Sequence, residues 1–110
     1  MNKKKKTYMV YYQRPGPLMT FVERNDLAVA SLRKTHAFVR RVAAASYDAV
    51  FHFMQSEIWS PNGEVRPLIE KKGLLHTSMS VNDVIRDPDG TYWQCLDIGW
   101  RQLPAEVQHG

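Results

Sequence analysis

The chain has 110 residues, 44% of them hydrophobic and 11% aromatic, which is enough to bury one core and too little for a second. Its single cysteine, Cys95, excludes an intramolecular disulfide, and no apolar run approaches the roughly 20 residues of a membrane span, so a soluble cytoplasmic protein is expected. The formal charge is +4, but Lys3, Lys4, Lys5 and Lys6 are consecutive, which leaves the remainder close to neutral and without the broad basic footprint of a dedicated DNA binder.

Residues 1–6 are read as a flexible basic tail, because a run of like charges repels itself and stays solvated. No apolar stretch follows it as a secretion signal requires. Thr7 to Gln13 (TYMVYYQ) is rich in β-branched and aromatic residues and ends at Arg14-Pro15-Gly16-Pro17, so a first strand is predicted to run into a turn. Leu18 to Val22 is assigned a short returning strand.

Asn25 to Glu57 contains neither proline nor glycine, and Leu32, Val39, Ser46 and Phe53 recur every seven residues, which permits one long helix. The Phe38-Val39 and Val42 positions favour a different division: a short helix over Asp26–Arg33, a strand over His36–Ala43, and a second helix capped by Ser46. Asp48 then sits in its positive first turn. Tyr47, Val50, Phe51, Met54 and Ile58 fall on one face of that helix.

Trp59-Ser60-Pro61-Asn62-Gly63 breaks the helix, and Glu64 to Lys72 carries one or two helical turns between Pro67 and Gly73. Ser78–Ile85 and Thr91–Trp100 are predicted strands around Arg86-Asp87-Pro88-Asp89-Gly90, a strong hairpin turn signal. Alternation along Thr91–Trp100 predicts one face more buried than the other. The expected fold is a small α+β domain over 7–103, an antiparallel sheet with a C-terminal β-hairpin packed on one or two helices. Residues 104–110 read as a frayed tail.

The run Leu75-His76-Thr77-Ser78-Met79-Ser80-Val81-Asn82-Asp83-Val84-Ile85, followed by Asp89-Gly90, Tyr92 and Ile98-Gly99-Trp100, resembles the signature of YodL-like domains. These and related small proteins occur on plasmids, integrative elements and phages. The specific match spans Leu75 to Trp100. This chain departs from the pattern at Asn82, where a small residue is common, and in a longer Trp59–Glu64 loop. The resemblance implies a small α+β domain on a mobile genetic element and implies no reaction. Independently of it, Val81, Val84 and Ile85 suit core positions, and Ser78, Ser80 and Asp83 suit bonds to backbone N–H groups at a bend.

Enzyme chemistry finds little footing. His36, His52, His76 and His109 include no closely spaced pair and there is one cysteine, so no metal and no cofactor is expected. A triad of His76, Ser78 or Cys95 with Asp83 or Asp97 lacks a nucleophile elbow, and successive residues on a strand would aim His76 and its neighbours apart. Asp87 and Asp89 belong to a turn. Cys95 reads as a buried small hydrophobe.

Recognition is the better-supported class. Trp59, Asn62, Glu64, Arg66, His76, Trp100 and Arg101 are the candidate contacts with a partner, since exposed tryptophan and arginine dominate interface energetics. The expected role is a non-enzymatic accessory protein that binds another protein, either inhibiting a host defence complex or aiding maintenance of the element. The alternative is a nucleic-acid module using Lys3–Lys6, Arg40, Arg41 and stacking aromatics.

Overall fold

The computed structural model describes residues 4–16 and 27–106. Strand β1 (Lys6–Gln13) lies beside β2 (His36–Ala44) on one side and β3 (Val84–Arg86) on the other. Strands β4 (Tyr92–Cys95) and β5 (Trp100–Gln102) complete a five-stranded antiparallel sheet in the order β2-β1-β3-β4-β5. A 3-10 turn (Val29–Ser31) runs into α1 (Leu32–Thr35) ahead of β2. Helices α2 (Tyr47–Phe53), α3 (Ser56–Trp59) and α4 (Arg66–Lys71) lie between β2 and β3. This is the α+β single domain expected, and no helix among the described residues is long and apolar enough to cross a membrane.

Period-two alternation sends Tyr8, Val10 and Tyr12 of β1 into the main core, where they meet Val50, Met54, Ile69, Leu74 and Met79 from the helical side. In β2 the pairing passes from Val10↔Arg40 to Tyr11↔Phe38, which leaves Val39 as an extra, bulged residue. The bulge shifts the alternation by one. Ala37 and Val39 before it, and Val42 and Ala44 after it, therefore all bury toward the same core. The helix–strand–helix division is thus the observed one, and Ser46 caps α2 by accepting from the Ala49 N–H at 3.1 Å. Gly73, at φ +72°, ends α4 in the left-handed region that glycine enters without strain.

Several boundaries differ from expectation, each for a physical reason. Ser78–Asp83 is irregular rather than strand, because its backbone groups go to scattered partners instead of one ladder: Met79 N–H to the Met54 carbonyl, the Met79 carbonyl to Gln55, Ser80 N–H to the Asp83 carboxyl and Asp83 N–H to the Ser80 carbonyl. The Thr91–Trp100 run is broken: Leu96 N–H bonds the Gly99 carbonyl at 3.0 Å and turns β4 back into β5. No single face of β4 is buried alone, since Gln94 and Cys95 are both covered. The reason is a second core on the far side of the sheet, built from Leu27, Leu32, Val84 and Leu103.

Ile58 is exposed because α2 stops at Phe53 and the chain turns before α3. Val81 is exposed as well, at the crest of the irregular loop, whereas Val84 and Ile85 are fully buried. Pro104 and Ala105 accept bonds from the Val29 and Ala30 N–H groups, so the packed body extends to Ala105. The Asp26 end of the first helix, the Leu18–Val22 strand and Lys3 lie outside the described residues.

Candidate functional site

The loop between α4 and β3 is held by bonds that run far along the chain. Its Thr77 carbonyl accepts from Tyr12 Oη at 2.6 Å and from Trp59 Nε1 at 3.1 Å. Ser78 Oγ accepts from the Ser56 N–H at 2.9 Å, and Met79 N–H donates to the Met54 carbonyl. The carboxyl of Asp83, 1% exposed, closes the loop. It accepts from the Gln13 N–H at 2.7 Å, the Ser80 N–H at 2.8 Å and His76 Nε2 at 2.9 Å. The His76 ring also stacks on Tyr12, with centroids 4.6 Å apart and planes 16° from parallel. These contacts fix a segment that has no regular structure of its own.

Between this loop, α3 and the start of α4 lies an open cleft of about 400 Å³. Arg66, Leu75, His76 and Ser78 are among its walls, with Ser60 beneath. Leu74 is buried, so the adjacent Leu75 faces outward and is 78% exposed. Ser60 Oγ, 5% exposed, accepts from the Val65 N–H at 3.0 Å. A hydroxyl also carries one proton to donate, and for Ser60 no acceptor lies among the described residues. The His76 and Ser78 side chains line one cleft, with Asp83 behind His76, and no hydrogen bond joins the two, in line with the expectation against a His–Ser contact. They do not form a relay. Ser78 Oγ is engaged by Ser56, and among the described residues no hydroxyl bonds His76.

Of the candidate contact residues, the fold brings Arg66 and His76 together. Trp59 is half-buried beside them, with its ring under the Arg40 guanidinium at 5.5 Å. Asn62 and Glu64 are exposed on the intervening loop, where Glu64 accepts the Asn62 N–H. Trp100 and Arg101 are elsewhere. Trp100 packs on α2 and donates to Asp48, while Arg101 points to the opposite sheet face and donates to Gln94 Oε1 at 3.0 Å.

The basic residues are dispersed too. Lys4, Lys5 and Lys6 are exposed at the start of β1, Arg40 lies over Phe53 and Trp59, and Arg41 pairs with Met9 and projects to the other face.

On that other face a second cleft, of about 370 Å³, is walled by Tyr11, Phe38 and Tyr92 with Arg14 and Arg33. His36 lies against it and is 2% exposed. Its Nε2 donates to the Asn82 carbonyl at 2.7 Å, because a carbonyl can only accept, and its Nδ1 lies 2.7 Å from Thr35 Oγ1, whose one proton is shared between this ring and the Ser31 carbonyl at 3.2 Å. Burial holds this histidine below the usual 6.5, outweighing the Asn82 carbonyl and Asp83, which favour its charged form. Asn82 itself sits at φ +78° and accepts from Gln94 Nε2 at 2.9 Å.

Sequence reasoning missed His36, Asn82 and Leu75. Asparagine's tolerance of positive φ and the adjacency of two leucines after Gly73 were the available signals. Burial, with nearby acids adding to it, pushes the Cys95 thiol up to about 11, which suits a packed rather than a reactive side chain. Among the described residues, no three His, Cys, Asp or Glu side chains gather as a metal site requires.

Comparison with protein-family models, with curated proteins and with solved structures finds no match to this chain.

Proposed function

We propose that this chain is a non-enzymatic accessory protein of a mobile genetic element, acting by recognition of another protein through the cleft that holds Arg66 and His76. The observation that carries the reading is Leu75, 78% exposed on the rim of a polar cleft whose loop is fixed by buried bonds. A fixed loop presents its side chains with little ordering entropy left to lose on binding. An exposed leucine beside an arginine and hydroxyls supplies the apolar centre and polar rim of a small interface. The YodL-like resemblance supplies the genetic setting, in which inhibition of a defence complex and maintenance of the element are the two roles that fit.

The test is affinity capture from cells of the native host, read by mass spectrometry, with the wild-type chain and a Leu75→Asp variant of unchanged melting temperature. A protein captured by the first and lost by the second supports the reading. Identical capture by both overturns it.

A second reading, a nucleic-acid module, draws on the cleft of Tyr11, Phe38 and Tyr92 flanked by Arg14 and Arg33. Aromatic faces beside cations can stack bases and meet phosphates. Fluorescence anisotropy with single-stranded RNA and DNA at low and moderate salt decides it. Absence of binding at low salt rejects this reading. Binding that weakens steeply with salt, and weakens further in an Arg14→Gln/Arg33→Gln variant, supports it.

A further inference from the structure

The cleft beside α4 is rich in hydrogen-bond donors and has no carboxylate on its walls. Its charged or protonatable lining side chains are Arg66 and His76 alone. Arg66 is exposed, and among the described residues it forms no ion pair. Glu64, the acid two positions before it, bonds the Asn62 N–H instead. Ser60, almost wholly buried, and Thr77 each present a hydroxyl whose proton has no acceptor among the described residues. His76 spends its Nε2–H on Asp83, so the side-chain donors that face the cleft are Arg66 and these hydroxyls. Donors concentrated around one guanidinium, in a volume within the usual range for ligand sites, call for an anionic acceptor.

We infer that this cleft binds a carboxylate of a partner peptide, with the apolar side chain next to that carboxylate resting on Leu75. The inference rests on the protein-recognition reading and names the chemistry recognised. A single guanidinium matches a planar, singly charged carboxylate through two parallel hydrogen bonds, whereas phosphate groups are commonly met by clusters of arginines. Leu75 supplies the apolar contact that a bare anion would not use. The carboxylate comes either from a chain terminus or from an acidic side chain, and the two sources share this chemistry.

The experiment is proton–nitrogen correlation NMR of the labelled protein. It is titrated separately with N-acetyl-leucine, N-acetyl-leucinamide, the diamide acetyl-leucyl-glutamate with its side-chain acid free, and inorganic phosphate. N-acetyl-leucine is expected to shift the Ser60, Val65 and 75–80 amide signals saturably, with the amide about tenfold weaker. An Arg66→Gln protein of unchanged melting temperature should lose about tenfold for the acid and nothing for the amide. Tighter binding of the leucyl-glutamate probe than of N-acetyl-leucine assigns the source to a side chain, and the reverse order assigns it to a terminus.

Equal binding of acid and amide, binding unaffected by Arg66→Gln, tighter binding of phosphate than of the acid, or no saturable shift at these signals overturns the inference. Capture of a host protein that survives Arg66→Gln but not Leu75→Asp sinks the carboxylate alone. Capture that survives both sinks the recognition reading beneath it.

Discussion

Asp83 and Asp87 stand at the two ends of β3, four residues apart, and hold the chain in opposite ways. Asp87 works locally. Its Oδ1 accepts from the Asp89 and Thr91 N–H groups and its Oδ2 from Trp93 Nε1, all within six residues, and Tyr47 Oη alone reaches it from afar. Asp83 works at a distance, since its Oδ1 takes the N–H of Gln13, seventy positions earlier, while its Oδ2 fixes Ser80 and His76. The first shapes a turn that proline and glycine already favour. The second shapes a loop that nothing else specifies, and the cleft depends on it.

The widest separation of the two is expected from Asp83→Ala. With the carboxyl gone, two backbone donors and a histidine are stranded beside a buried space, costing about 3 kcal/mol or more of the few available to a small domain. Urea unfolding at neutral pH measures it. A loss no larger than that of Asp87→Ala would show that the distant bonds of Asp83 hold the chain no more firmly than the local bonds of Asp87. Asp87→Ala should cost about 1–2 kcal/mol, because its site is half-exposed and water replaces part of what is lost.

The same turn predicts an acid dependence. Burial raises the Asp87 carboxyl, but the bonds from Trp93, Thr91, Tyr47 and Asp89 together outweigh it and hold the group below the usual 3.8. Its stabilisation is therefore present above that value and is lost as pH falls through the lower, folded one.

His36 gives an intermediate effect nearer neutrality. The unfolded chain takes up a proton at this residue below about 6.5, while the folded chain resists until lower pH. Stability should thus decline as pH falls from 6.5, by up to about 1.4 kcal/mol per pH unit for this one proton. Unfolding free energies measured from neutral pH to pH 5 should lose that part of their slope in a His36→Gln protein. An unchanged slope would show that His36 is protonated as readily folded as unfolded.

The smallest effect belongs to Ile98, 92% exposed in the turn between β4 and β5. Ile98→Ser should change stability by less than about 0.5 kcal/mol. A larger thermal shift would mean that this turn is supported by more than its own backbone.

Read from the amino acids alone, the chain determined those features whose causes lie within a few positions of their effects. The Thr7–Gln13 strand, the Ser46 cap, the stop at Gly73 and the Pro88-Asp89-Gly90 turn are all of this kind, because a cap or turn bond closes over two to five residues. Tertiary structure decided the rest. The Val39 bulge answers to its pairing with β1, and the second core needs Leu27 and Leu103, which the sequence keeps far apart. Arg66 and His76 meet across one cleft because Tyr12, Trp59 and Asp83 pin the loop between them. Such bonds form only once distant strands and helices are already in place, so their partners leave no periodic mark in the chain.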